Sequence, residues 1–336
     1  MTVSFIVIAY NEERALPDLL ADIAAQTYPK DKMEIVLVDS ASTDNTKALM
    51  QAFAKAQTGY IRVQVLDNPK KKLPCGWNVA LDHLSGEIVL RVDAHARIPQ
   101  DFVEKNVRTI ESGEDICGGI RPCRIENNTA WGRVLLQTEN SLFGSSINSS
   151  RRSEKKSYVK TIFHAAYKKE VFDKVGKYNE NLFRTEDNEM HYRMRKAGYQ
   201  FCYDPDICSY QYARSSLKRM VKQKYGNGYW IGLTMGVCPK CFSLYHFIPL
   251  CFVLGILATT VLAFLGIWQL AALMWGAYAL FAVANTVLSQ IADGFNGFAF
   301  LMPSLFLVLH ISYGIGTLWG LIKMPFWLRK IKRKSK

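Results

Sequence analysis

Glu87-Ile-Val-Leu-Arg-Val-Asp-Ala-His95 decides how the rest of this chain is read. Ile88 to Val92 are mostly branched and apolar, which marks a buried strand, and the strand breaks off into Asp93-Ala94-His95. A carboxylate and an imidazole two residues apart, at the carboxyl end of such a strand, suit a divalent cation of the manganese type, which accepts both oxygen and imidazole ligands. The plain alternative is a strand that exits into a polar turn.

The preceding residues repeat the pattern. Val3 to Ala9 is a near-continuous apolar run, as in a parallel strand covered on both faces. Asn11 is a candidate cap for the helix that follows, with Leu16, Leu19, Leu20 and Ile23 on one face. Glu34 to Val38 is a second strand ending in Asp39; Ser42 or Thr43 then caps a helix with Leu49 and Phe53 on its inner face. Ile61 to Leu66 is a third strand, followed by Lys70-Lys71-Lys72 and a short helix from about Gly76 to Leu84. This β-α-β-α-β-α-β order implies a parallel, right-handedly wound sheet, whose ligands bind beyond the carboxyl ends of its strands. Those ends carry Asn11 and Glu12, Asp39, and Asp93. A dinucleotide dehydrogenase would need a Gly-x-Gly-x-x-Gly turn after the first strand. The turn here reads Ala9-Tyr-Asn-Glu-Glu13, without glycine and with acids that repel a pyrophosphate, so that class is excluded.

A chain of 336 residues holds about two domains. Its net charge of +13 calls for an anionic partner. From Cys241 to Ile322 the only charged residue is Asp293, and the basic residues flank that stretch, so the partner is anionic membrane lipid rather than nucleic acid. The chain opens directly on a strand, so no signal peptide is expected; the soluble part then stays cytosolic with reduced thiols, and Asn127 and Asn148 are not glycosylated. Cys238-Pro-Lys-Cys241 lacks two further ligands at zinc-site spacing, and no zinc is expected there.

Val3-Ser-Phe-Ile-Val-Ile-Ala-Tyr-Asn-Glu12, Val36-Leu-Val-Asp-Ser-Ala-Ser-Thr-Asp44 and Val92-Asp-Ala-His95 resemble, in order and interval, the three motifs of family 2 glycosyltransferases; the resemblance covers about residues 1 to 215. It implies an α/β fold of the GT-A type, a Rossmann-like, mostly parallel sheet flanked by helices and followed here by C-terminal transmembrane helices. It implies a nucleotide-sugar site formed by Ala9, Tyr10, Glu12, Asp39, Lys72, Arg91 and Asp93, with Asp39 on the base, commonly uracil. Asp93 and His95 match the family's metal motif, with His95 in place of the second Asp, which favours Mn²⁺ over Mg²⁺ as the divalent cofactor. Glu186-Asp187 matches the acceptor-side motif: Asp187 would be the general base of an inverting transfer, and Glu186 would shape the site. The alternative for both acids is complementing a helix dipole. Lys70 to Lys72 either help hold phosphate or form a solvated charge run.

Further along, Asp101 to Ser112 reads as a helix, Ile116 to Arg121 as a strand and Trp131 to Glu139 as a helix. Asn140 to Ser157 is a solvated loop or a mobile lid in which Arg151, Arg152, Lys155 and Lys156 face phosphates. In the helix after Thr185, Met190, Met194 and Ala197 share a face, and Gly198 ends it. His164 and His191 either touch acceptor or are structural. Arg214, Lys218, Arg219, Lys222 and Lys224, with Leu217, Met220, Val221 and Tyr225 at helical spacing, read as an amphipathic helix on an anionic leaflet. A processive synthase would show Gln-x-x-Arg-Trp hereabouts; Gln223 to Trp230 does not match, which points to one sugar per encounter.

Residues 1–212 are thus the catalytic domain, 213–240 a basic interfacial helix and linker, 241–322 membrane segments and 323–336 a basic tail. The apolar runs Leu244 to Ile267, Gln269 to Gln290 and Phe298 to Ile322 are each long enough to span ~30 Å of hydrocarbon. Positive charge on both flanks places both ends in the cytoplasm and favours two crossings plus a re-entrant or interfacial third segment; three crossings stay open. The expected function is a metal-dependent, inverting, non-processive hexosyltransferase at the cytoplasmic face of a bacterial inner membrane. It moves a sugar from a UDP-sugar to a polyprenyl-diphosphate-linked saccharide in exopolysaccharide or capsule assembly, the layout resembling succinoglycan-type transferases. The alternatives are a polyprenyl-monophosphate glycosyltransferase and a catalytically silent, membrane-bound nucleotide-sugar-binding scaffold.

Overall fold

A computed structural model of the chain describes residues 1–125, 128–144, 155–212 and 216–334. Asn127, Asn148, Arg151, Arg152 and Arg214 lie outside the described residues, as does much of the expected lid. The chain divides into two compact units, Met1–Pro122 with Ser149–Tyr212, and Cys123–Asn148 with Ala213–Lys336.

In the first unit β1 (Val3–Ala9), α1 (Leu16–Ala24), β2 (Met33–Asp39), α2 (Thr46–Ala56), β3 (Arg62–Asp67), α3 (Leu73–Leu81) and β4 (Ile88–Asp93) follow the expected alternation. Next come β5 (Ala96–Arg97), α4 (Phe102–Glu111) and β6 (Ile116–Ile120), with β7 (Cys123–Arg124) and α5 (Ala130–Asn140) belonging to the second unit. The chain returns as β8 (Ser157–Val159), β9 (Ala166–Lys168), α6 (Lys169–Val175), α7 (Glu186–Lys196), β10 (Phe201–Cys208) and β11 (Tyr210–Tyr212). The main sheet has the order β3-β2-β1-β4-β9-β6-β10-β8. Strands β3, β2, β1 and β4 run parallel, as do β6 and β10, while β9 lies antiparallel between β4 and β6.

The apolar runs of β1 and β2 are explained by burial on both faces. Phe5, Val7, Ile35 and Leu37 pack with Leu16, Leu19, Ile23 and Phe102 on one side; Ile6, Ile8, Val36 and Val38 pack with Trp77, Ala80 and Met190 on the other. On β4, Leu90 and Val92 join the first layer and Val89 the second, so Arg91 and Asp93, at the same parity as Val89, share the second face. The register sets Ala9 opposite Asp39, Ile8 opposite Asp93 and Asp39 opposite Asp67, so the strands end level.

The expected caps are not the ones used. Helix α1 begins after Ala15 and α2 after Asn45, neither with a side-chain cap bond. Asn11, at φ 54°, instead accepts from Thr43 N at 2.8 Å, and Ser42 Oγ accepts from Asn11 N at 3.0 Å. These residues stitch the loops after β1 and β2 to each other, a tertiary demand that overrides local capping. Helix α3 starts earlier than expected, at Leu73, because Pro74 fits its first turn. Gly198, at φ 98°, follows α7, as expected.

In the second unit α5 is joined by α8 (Leu217–Thr234), α9 (Ile248–Phe264), α10 (Gln269–Asp293) and α11 (Met302–Lys334). Three helical stretches, Leu244–Phe264, Gln269–Asp293 and Ala299–Arg333, are long and apolar enough to cross a membrane. The third is continuous: Pro303 falls in its first turn, where proline is tolerated, and its glycines are contact points rather than breaks. A Cβ on Gly316 or Gly320 would meet the backbone oxygen of Tyr225 or Tyr229, and one on Gly228 would meet that of Tyr313. Gly228-x₃-Gly232 on α8 and Gly316-x₃-Gly320 on α11 thus bring two backbones together, a small-residue pairing used by apolar helices. The amphipathic helix α8 therefore spends part of its surface on α11.

Candidate active site

Three strand ends build the first part of the site. Beyond β1, Tyr10 is 48% exposed, whereas Asp39 at the end of β2 is 2% exposed. Asp39 is held from behind, since Ser42 N lies 3.3 Å from both of its carboxylate oxygens. Beyond β4, His95 Nδ1 lies 3.3 Å from Glu12 Oε1, so the first and third motifs meet through side chains. Asp93 Oδ2 accepts from His164 Nε2 at 3.2 Å, and His164 Nδ1 is 2.9 Å from Ser209 Oγ. Burial pushes the Asp93 carboxyl up, but the His164 hydrogen bond and the charges of Arg91 and His95 outweigh it and hold the group well below the carboxylate range. Burial pushes His164 down more than Asp93 raises it. The same geometry then requires Nε2 to carry the proton toward Asp93.

The second part of the site comes from α7. Arg91 Nη1 donates to Asp187 Oδ1 and Nη2 to Oδ2 at 2.9 Å, a two-pronged pair, while Nη1 also reaches Tyr178 OH at 3.1 Å. The guanidinium lies 4.3 Å from the Trp77 ring centroid. Arg91, expected to face the nucleotide sugar, is thus committed to Asp187. Glu186 is buried beside it, and its Oε2 has no hydrogen-bond partner among the described residues. Burial first, then the neighbouring Asp187 charge, raise its carboxyl to about 7. Helix-dipole complementation does not account for a buried carboxyl with one oxygen left without a partner among the described residues.

Other expectations are placed elsewhere. Lys70 Nζ meets Glu180 Oε2 at 2.5 Å and Lys72 Nζ donates to Glu180 O at 3.0 Å, so both side chains fasten a loop. His191 is fully buried, with Tyr167 OH 3.2 Å from its Nε2 and the Phe201 ring 4.7 Å away; burial lowers it to about 4. It is a core histidine rather than an acceptor contact. Trp77, Tyr178 and Ser209 were not singled out from sequence. Each acts through a partner far away in the chain, and no local pattern marks it.

Among the described residues no cluster of three or more His, Cys, Asp or Glu side chains could cage a metal ion. Asp93 and His95 nevertheless fit a two-ligand site. Both side chains remain partly open, at 28% and 32%, and only one Asp93 oxygen accepts a hydrogen bond among the described residues. Divalent cations in nucleotide sites are commonly held by one or two side chains and completed by phosphate.

Comparison with known proteins agrees with this layout. The family model described as "Glycosyl transferase family 2" matches residues 4–176. A Methanococcus voltae protein, dolichyl N-acetyl-alpha-D-glucosaminyl phosphate 3-beta-D-2,3-diacetamido-2,3-dideoxy-beta-D-glucuronosyltransferase, is 28% identical over 69% of this chain and 73% of its own length. The succinoglycan biosynthesis protein ExoA of Rhizobium meliloti is 27% identical over 68% of each chain. Among solved structures, the mannosyltransferase PcManGT from Pyrobaculum calidifontis, in complex with GDP-Man and Mn²⁺, aligns over 94% of this chain and 87% of its own. Its TM-score is 0.58 and its sequence identity 21%, a likeness of fold.

Proposed function

The chain belongs to glycosyl transferase family 2, and from that premise we propose that it transfers one sugar per encounter, with inversion, from a UDP-sugar to a lipid-linked saccharide at the cytoplasmic face of a bacterial inner membrane. The observation that carries this reading is the level ending of β1, β2 and β4, which brings Tyr10, Asp39 and Asp93 to one edge while Arg91 of β4 holds Asp187. Asp39 and Tyr10 receive the nucleoside. Asp93 and His95, with Glu12 against His95, hold a divalent cation, Mn²⁺ in preference to Mg²⁺. When bound, that cation neutralises charge on the leaving diphosphate. Asp187 takes the proton of the acceptor hydroxyl, and Arg91 fixes the direction of its carboxylate. Buried Glu186 closes the floor behind it.

The relatives' names support the nature of the partners. One is named for a dolichyl phosphate-linked sugar and one for succinoglycan biosynthesis, and the aligned structure holds a nucleotide sugar with Mn²⁺. We assign a polyprenyl-diphosphate-linked acceptor, anchored beside the three apolar helices, with Lys218, Arg219 and Lys222 of α8 and the basic tail on anionic lipid; Lys224, expected to join them, is instead buried beside Glu139.

A second reading has its own observation in favour. Arg91 occupies both oxygens of Asp187, so an acceptor hydroxyl would have to share an oxygen that already accepts a hydrogen bond. A polyprenyl monophosphate acceptor is already an anion and needs no base. Nucleotide release by detergent-purified enzyme separates the two, using UDP- and GDP-sugars, membrane lipid extract and Mn²⁺, Mg²⁺ or EDTA. Metal-dependent release from one UDP-sugar, lost in Asp187→Asn, is the expected result; full release by Asp187→Asn transfers the assignment to the monophosphate acceptor. UDP binding without release from any donor sinks the enzymatic reading.

A further inference from the structure

His164 stands out once the site is assembled. It is 3% exposed, and its backbone lies in the left-handed region at φ 49°, unusual for a non-glycine residue. Such strain persists only where the surroundings hold it. Here the hold is visible. Strand β9 runs antiparallel to β4 with Leu90 opposite Ala166, and Arg91 N donates to Ala165 O at 3.0 Å. Residue 164 is therefore delivered to the carboxyl end of β4, and the left-handed turn aims its ring at Asp93. Behind the ring, Ser209, itself 3% exposed, is fixed through its backbone N to Ile120 O at 3.0 Å.

We propose that His164 and Ser209 form a positioning relay for Asp93: Ser209 Oγ fixes His164 Nδ1, and His164 Nε2–H donates to Asp93 Oδ2. An ionised carboxylate only accepts hydrogen bonds, so Nε2 carries the proton toward Asp93, while the Ser209 hydroxyl, able to donate or accept, serves Nδ1 in either ring state. One Asp93 oxygen is thereby held, and the other is directed to the donor diphosphate and its cation. A buried partner that orients a ligating side chain sets affinity without touching the ligand. The inference deepens the function proposed above and rests on Asp93 being the diphosphate–cation contact.

The test is Mn²⁺ titration by electron paramagnetic resonance in the presence of UDP, on the full-length protein in detergent. Wild type is compared with Asp93→Asn, His164→Asn, His164→Gln and Ser209→Ala. Asparagine tolerates the left-handed backbone but is too short to reach Asp93, so His164→Asn removes the bond without adding strain. Its Mn²⁺·UDP affinity should fall by about 10- to 100-fold. Glutamine, whose amide nitrogen reaches about as far as Nε2, should recover most of that loss. Ser209→Ala should weaken affinity by a smaller factor with unchanged folding, and it carries the test if His164→Asn does not fold. Wild-type affinity in folded His164→Asn, with affinity lost in Asp93→Asn, overturns the relay and leaves the functional reading standing. Wild-type affinity in Asp93→Asn removes the Asp93 assignment and the relay with it.

Discussion

At the amino end of the sheet Glu34 is buried in β2, and at the carboxyl end Asp39, five residues on in the same strand, is buried too, yet the two carboxylates are served very differently. Glu34 accepts from Ser4 Oγ, from Ser85 N at 2.5 Å, Ser85 Oγ at 2.9 Å and Gly86 N at 3.1 Å, and pairs with Arg62 Nε at 2.6 Å. Burial alone would raise its carboxyl; those bonds outweigh it and set it below the usual range. At the other end, Asp39 receives one long, shared backbone contact, Asp93 one imidazole and Glu186 Oε2 nothing among the described residues. An acid whose donors are all supplied from within stabilises the fold. One buried with donors missing costs free energy that a ligand can recover.

The sharpest break of this comparison is Asp93→Asn. Nucleotide release per folded molecule should fall by about a thousandfold, equivalent to several kcal/mol of lost charge stabilisation, and some stability should go with it, because the His164 hydrogen bond and the Arg91 charge hold the Asp93 carboxyl below the usual range. A large stability loss with intact turnover would place Asp93 in the same class as Glu34. Asp187→Asn comes next, with kcat lower by about 10²- to 10⁴-fold if the residue is the base. The amide still offers Arg91 one acceptor, so the protein should remain folded by circular dichroism.

Glu34→Gln should reverse the pattern, losing about 2–4 kcal/mol of stability because an amide cannot accept from all those donors. Turnover per folded molecule should be unchanged. The sign with pH follows: a depressed folded-state pKa stabilises above the unfolded value of 4.5 and is lost as pH falls through the folded value, so this variant should also lose the wild-type protein's acid-side slope. Smallest is Glu186, where the sign inverts. Its folded value of about 7 lies above 4.5, so the neutral acid favours the fold below 4.5, and that benefit is lost as pH rises through 7. Melting temperature should fall by about 5 °C between pH 5 and pH 8, and the fall should vanish in Glu186→Gln. A flat wild-type profile would mean that Glu186 is solvated or paired.

Much of this was readable from local pattern. Val3 to Ala9 and Glu34 to Val38 announce doubly covered strands because burial on both faces removes the need for alternation. Asp39 and Asp93 are legible as strand-end acids for the same reason. The caps were misread because Asn11, Ser42 and Thr43 serve a loop-to-loop contact that local propensity cannot see. In the last apolar run Gly314 and Gly316 read locally as helix-weakening residues, but small residues on a helix are also where a neighbouring backbone can approach, and α11 uses them that way.

By itself the sequence determined the order of strands and helices from Val3 to Asp93, the acids at the carboxyl ends and the three apolar helices, since each depends on residues within a turn or two of one another. Only the tertiary structure decided which partner each acid receives. Arg91 meets Asp187 across 96 positions and His164 meets Asp93 across 71. Those pairings follow from how β9 and α7 pack against β4, and no spacing along the chain encodes them.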